Sequence, residues 1–267
     1  MARGPRDELA YAWALRGALA SLVGSAVGCQ SADEATVPLT VFAASSLTDV
    51  LGALEPEFEA ANPGVDLTLS FAGSQVLRLQ IESSAPADVF LSADSTHVQA
   101  LVEAGHVEAG QVFARNELVV IVPPDNPAGI ETLADLPRAQ RLVVGTSQVP
   151  VGRYTATLLQ RASERYGADF GAQVRASVVS EESNVRLVRA KVELGEADAA
   201  IVYRSDAQAS ERVRVVPIPP ELNVVASYEV GVVSAAAHSE QGRRFVGFLR
   251  SPAAASALRK HGFVVDP

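Results

Sequence analysis

From Val37 onward the sequence alternates short runs rich in β-branched residues with longer runs of helical spacing, and this alternation is what most limits the fold. Strands are expected at 39–43, 65–71, 89–91, 118–122, 141–144, 176–179, 199–203, 213–218 and 229–233, with helices between them. Such a pattern argues for an α/β protein with helices layered on mainly parallel sheets. In the first helix Leu47, Val50, Leu51, Leu54 and Phe58 share one face. Pro56 interrupts that helix and is expected to break or kink it, because an interior proline costs about 3 kcal/mol. Asn62-Pro63-Gly64 then supplies the chemistry of a turn.

A second α/β unit begins near Leu118, followed by the turn-rich Pro123-Pro124-Asp125-Asn126-Pro127, and the chain is expected to return to the first unit near Tyr228. The expected organisation is a first lobe of residues 37–117 plus 229–267 and a second lobe of residues 118–228. Folds of this kind bind ligands in clefts outside the carboxyl ends of their strands, here between the lobes.

The corners where strands give way to helices carry the chemistry. Val41-Phe42-Ala43-Ala44 stops at Ser45-Ser46, and Phe71-Ala72-Gly73 stops at Ser74. Val149-Pro150-Val151-Gly152 precedes a third helix, and Ser183-Asn184-Val185 opens a fourth. Any one of these residues is explained by helix capping, which stabilises by about 1 kcal/mol. Four corners converging on one cleft would do more: free N–H groups and partial positive charge at several helix starts make an anion site without Lys or Arg. Tyr203, at the end of an apolar strand, is either a half-buried core tyrosine or a hydroxyl facing that cleft.

Other chemistries fit less well. Gly145-Thr146-Ser147-Gln148-Val149 lacks the final glycine of a nucleophile elbow, and His97, His106, His238 and His261 show no zinc spacing. Glu181-Glu182 reads as a solvated turn rather than an acid/base pair, and no phosphate-binding loop of the G-x-x-x-x-G-K-[ST] kind occurs. The formal net charge is −9, with 22 Lys and Arg scattered along the chain, which argues against a nucleic-acid partner. Aromatic residues are only 6% of the chain, too few for the exposed patch of an adhesion module.

Residues 1–28 are expected to be an export signal: Arg3, Arg6 and Arg16 precede the apolar run GALASLVGSAVG (17–28), too short to span a bilayer of roughly 30 Å. Cys29, the sole cysteine, follows that run directly and stands before the polar stretch Gln30 to Ala35. This is the context of a lipoprotein processing site rather than of a buried thiol, with residues 29–36 as a tether and a lipid anchor as the membrane contact.

Six segments together resemble the periplasmic molybdate-binding proteins of ABC transporters, the ModA family: FAASSL (42–47), SFAGSQ (70–75), APADVFLSAD (85–94), NELVVIVP (116–123), VPVGRYT (149–155) and AAIVYRSDA (199–207). Their order and spacing from about Leu39 to Val265 make the match specific. The resemblance implies a two-lobed type II periplasmic-binding fold and an envelope protein, not an enzyme, that acts as a monomer, carries no cofactor and delivers molybdate or tungstate to an ABC permease. It implies oxyanion binding without metal-ligating side chains: Ser46 and Ser74 from the first lobe, the backbone N–H groups of Val151 and Val185 from the second, and the Tyr203 phenol, with Ser45 as a possible addition. Val151 stands where the family often has alanine, and Glu229 where it often has proline.

The physics of such a ligand agrees. A deprotonated dianion only accepts hydrogen bonds, so its lining must donate, and none of these residues is acidic. A protonated phosphate would leave its proton unpaired. Sulfate is the nearest rival ligand, and an exported hydrolase the remote alternative function. An iron-binding relative would show adjacent tyrosines, whereas Tyr203 is followed by Arg204.

Overall fold

The first apolar run becomes β1 (Val37–Ala44), with parallel partners on both edges: β2 (Val65–Ala72) and β3 (Val89–Ser92). This computed structural model describes residues 36–265, so the expected export signal and Cys29 lie outside the described residues. Helix α1 (Thr48–Ala61) connects β1 to β2, α2 (Ser74–Glu82) connects β2 to β3, and α3 (Ser95–Glu103) leads out of β3. Strand β4 (Gln111–Val122) then crosses into the second half of the molecule.

There β5 (Leu142–Gly145), α4 (Pro150–Tyr166), α5 (Phe170–Ala176), β6 (Val178–Glu182), α6 (Val185–Glu193), β7 (Ala199–Tyr203), α7 (Arg204–Gln208) and β8 (Arg214–Val216) follow in turn. The chain returns through β9 (Val225–Val232) and closes with α8 (Ser239–Leu249) and α9 (Pro252–Lys260). The strand order is β2-β1-β3-β9-β4-β7-β5-β6, with β8 against β4. Between Glu117 and Leu118 the partners of β4 change from β9 to β7, so this one strand belongs to both halves of the sheet. The outer strands pair in parallel, while the crossing strands β4 and β9 bring antiparallel pairs.

Several elements differ from the sequence expectation for identifiable reasons. Helix α1 runs unbroken through Pro56. The proline lies on the exposed face, where water can reach the Gly52 carbonyl that loses its donor, while Leu51, Leu54 and Phe58 stay buried. Strand β4 begins seven residues before 118, because Arg115-Asn116-Glu117 interrupts the apolar pattern but not the backbone pairing with β9. Strand β6 lies at the sheet edge, where Ser180, Glu181 and Glu182 are tolerated, and it starts only after α5 ends at Ala176.

The core is continuous beneath both halves of the sheet. On the first half Phe58 of α1 meets Phe245 of α8 edge-on at 5.0 Å and Phe248 at 5.3 Å. The burial of each such side chain stabilises by about 1.5–3 kcal/mol. The result is two α/β lobes whose strands end at a common cleft.

Candidate functional site

Each corner is shaped by what its local sequence allows. After β1, Ser45-Ser46-Leu47 forms a single 3₁₀ turn, and Thr48 Oγ1 donates back to the Ser45 carbonyl at 2.7 Å. Neither serine side chain caps the helix. After β2, Gly73 holds the cap position and Ser74 is the first residue of α2, again without a side-chain cap. A Cβ at Gly73 would collide with the Ser183 carbonyl of the facing lobe, so the close approach of the two lobes requires glycine there.

In the second lobe Pro150 opens α4 at a position where its missing N–H costs nothing. A Cβ at Gly152 would strike the carbonyls of Gly145 and Thr146, so the first turn of α4 sits tightly on the end of β5. At the fourth corner Asn184 does cap α6, accepting from the Leu187 N–H at 3.1 Å. The capping explanation therefore holds for Asn184 and fails for Ser46 and Ser74.

These corners meet. Ser45, Ser46, Ser74, Val151, Val185 and Tyr203 all line one cavity of about 10 Å³, together with Ala44, Ala72, Gly73, Ala93, Val149, Pro150 and Asn184. Among the described residues, no charged side chain lines it. Val151 is the second residue of α4 and Val185 the first of α6, so neither N–H has a carbonyl four residues back within its helix. The earliest helical bonds begin later, at Arg153 N to Val149 O (3.1 Å) and Val188 N to Asn184 O (3.3 Å).

One of the hydroxyls is held as a donor. Ser74 Oγ accepts from the Ala93 N–H at 3.2 Å, which leaves its own hydrogen for the cavity. Ser46 Oγ shares a 2.8 Å hydrogen bond with Tyr228 Oη. When the phenol donates in that bond, the serine hydrogen is free to turn inward. Burial pushes the Tyr228 phenol well up, Asp206 adds to the rise, and its hydrogen bonds with Ser46 and Asn116 oppose it.

Tyr203 is 1% exposed, and its hydroxyl meets no hydrogen-bond partner. Burial, then Tyr228, Tyr154, Asp94 and Asp206, push its phenol well above the ordinary value, so it keeps its proton and can only give it to an acceptor. Its ring lies edge-on to Tyr228 at 5.8 Å and to Tyr154 at 6.4 Å. Sequence reasoning missed Tyr228, Tyr154 and Asn116, the residues that support the lining groups. The strand position of Tyr228 was the available signal, since it shares a face of β9 with buried Ala226 and Val230.

Two lobes closed over a buried, uncharged, donor-lined cavity are the architecture of a solute receptor. The chain belongs to the bacterial extracellular solute-binding proteins, whose family model matches residues 39–264. It is 34% identical to the molybdate-binding protein ModA of Mycobacterium tuberculosis strain H37Rv over 256 residues, covering 91% of this chain and 94% of the relative. Among solved structures, the substrate-binding domain of a putative molybdenum ABC transporter from Clostridium difficile superposes with a TM-score of 0.66 at 25% identity, covering 87% of this chain and all of that one. The sulfate-binding protein SubI of M. tuberculosis H37Rv shares the fold with a TM-score of 0.75 at 20% identity, covering 86% and 88%.

Proposed function

We propose that the cavity captures a tetrahedral, fully deprotonated oxyanion, molybdate or tungstate, and that the protein passes it unchanged to the permease of an ABC transporter. The Tyr203 hydroxyl carries this reading: a buried phenol without a partner needs an acceptor, and it lines a cavity of hydroxyls, helix starts and apolar side chains. In this reading Ser46 and Ser74 donate their hydroxyls, Val151 and Val185 their N–H groups and Tyr203 its phenol, with Ser45 adjoining. Uncharged donors in a dry site suffice because hydrogen bonds to a charged acceptor contribute about 1.5–3 kcal/mol each. The ModA relative and the molybdenum-transporter neighbour support the choice of anion. No chemical step is required of the site, so the protein acts as a receptor rather than an enzyme. Its lobes move as bodies joined by β4 and the segment entering β9, and a lipid on Cys29 holds the monomeric receptor at the envelope.

Thermal unfolding with molybdate, tungstate, sulfate and phosphate tests this. A ligand at 100 times its Kd stabilises the native state by about 2.7 kcal/mol. Molybdate and tungstate are expected to raise Tm and phosphate is not. A rise with sulfate alone would keep the site and change its ligand, whereas no rise with any anion would leave Ser46 and Ser74 as structural residues.

A further inference from the structure

None of the five donor residues is more than 5% exposed, and the space between them is about 10 Å³. A tetrahedral oxyanion can enter or leave only if the lobes part. Besides the bond from the Tyr154 hydroxyl to the Ala93 carbonyl at 3.4 Å, three further polar contacts link the lobes beside the cavity. Gln75 Nε2 donates to Ser183 O at 2.8 Å, and Arg186 pairs with Asp49 at 2.6 Å, both in exposed settings where such contacts count for little. The third is more buried: Arg153 of α4 pairs with Asp94, whose side chain is 5% exposed, and the same guanidinium nitrogen lies 3.1 Å from His97 Nε2.

We propose that Asp94, His97 and Arg153 form a latch that sets how fast the anion leaves, and that proton uptake by His97 releases it. The inference rests on the anion-receptor reading above. Arg153 follows Gly152 in the first turn of α4, so the latch pins the turn whose Val151 N–H faces the cavity. Asp94 meanwhile caps α3, accepting from the His97 N–H at 3.3 Å. A guanidinium can only donate, so where His97 Nε2 bonds to it the imidazole is neutral with its proton on Nδ1. That Nδ1 is buried and meets no partner. A second proton would remove the acceptor and set two cations side by side.

The groups facing His97 are Asp94 at its own helix start, Arg153 of α4 with the nearby Gln148 carbonyl, and Arg78 of α2, which Glu82 holds at 3.7 Å; Glu229 of β9 lies beyond Asp94. Burial lowers its pKa most, Asp94 raises it, and Arg153 and Arg78 lower it further. A group lowered in the closed form returns toward about 6.5 once opened. The open form therefore binds the proton more tightly, and acid favours opening.

Stopped-flow kinetics with molybdate reads this. Arg153→Gln and Asp94→Asn are each expected to speed dissociation by about tenfold or more with little change in association, the pattern for a partly desolvated charge pair. The double variant should add little to either. Parent dissociation should quicken from pH 7.5 to 5.5, and His97→Gln should flatten that dependence. Unchanged dissociation in Arg153→Gln, or additive single effects, would overturn the latch; an undiminished pH dependence in His97→Gln would overturn the proton step. If the parent binds no oxyanion, the receptor reading itself fails, and small-angle scattering still decides the latch: Arg153→Gln must show a larger radius of gyration than the parent, and an equal one sinks it.

Discussion

On the side of the first lobe, the cavity is lined by side-chain hydroxyls whose surroundings are satisfied: Ser46 is bonded to Tyr228, and Ser74 to the Ala93 N–H. On the side of the second lobe, the proposed donors are the backbone N–H groups of Val151 and Val185 at two helix starts, beside buried side chains without a partner. Tyr203 Oη and both carboxylate oxygens of Asp206 meet no partner. In the proposed site, one lobe thus contributes residue chemistry and the other helix geometry. The first kind is removed by truncating a side chain; the second survives almost any substitution that keeps the helix start.

The unpaired groups of the second lobe give the largest expected effect. Asp206, 2% exposed, follows Tyr203 in α7, and burial pushes its carboxyl up to about 7 against the opposing pull of Arg189 and Arg186, with Asp49 adding to the rise. The folded protein therefore holds this proton over a range where the unfolded chain has lost it. Stability falls as pH rises above the unfolded value and levels off above about 7, by about 1.4 kcal/mol for each pH unit between. Asp206→Asn cannot ionise, so its Tm advantage over the parent should be absent near pH 4 and widen to a plateau at pH 8. A constant gap across that range would mean that a hydrogen-bond donor pairs with the Asp206 carboxylate and that the lobes do not differ in this way.

Next in size come the donors themselves, and here the comparison can be broken directly. Val185→Pro removes the N–H at the first position of α6, where proline fits and where the preceding Asn184 is already extended at φ −160° and ψ 162°. It should weaken molybdate binding by about 3 kcal/mol, a hydrogen bond to a charged group plus some loss of fit, with far-ultraviolet circular dichroism unchanged. Ser46→Ala and Ser74→Ala should each cost about 1.5–3 kcal/mol of binding in calorimetric titration. Each should also lower stability without ligand, since Tyr228 Oη or the Ala93 N–H then loses its partner. If Val185→Pro bound as the parent does while the serine variants failed, the second lobe would be a lid rather than a donor.

This asymmetry also explains what could be read from the sequence. The alternation of strand and helix was legible because each buried strand is a compact apolar run, as at β7, whose bounds match the expected 199–203. The full extents of β4 and β9 were not, because their outer halves carry polar residues and are held by mutual backbone pairing rather than by burial alone. Ser46 and Ser74 stand out as hydroxyls at corners. Val151 and Val185 do not, because a valine supplying its N–H has the same side chain as one that only packs; they were reached through resemblance. Asn116, Tyr154 and Tyr228 become meaningful only when sheet topology brings distant segments together, as in the 2.8 Å contact from Asn116 Nδ2 to Ser205 Oγ, 89 residues apart.

The smallest expected change in binding is the sharpest statement of the comparison. Val151 is fully buried, and a Cβ added at Gly145 would meet its Cγ1 at 2.7 Å, so its methyl groups fill the space over the end of β5. Val151→Ala should therefore lower Tm, because removing buried methyl groups leaves a cavity, at a cost of about 1–2 kcal/mol. Its N–H stays where α4 places it, clamped by the approach of Gly152 to the Gly145 and Thr146 carbonyls. Molybdate affinity should consequently shift by less than about 0.5 kcal/mol while stability drops, a separation that Ser74→Ala, which loses both, must not show. Should Val151→Ala lose affinity as Ser74→Ala does, the valine side chain would be shaping the cavity, and the second lobe would be reading the anion by size as well as by donor geometry.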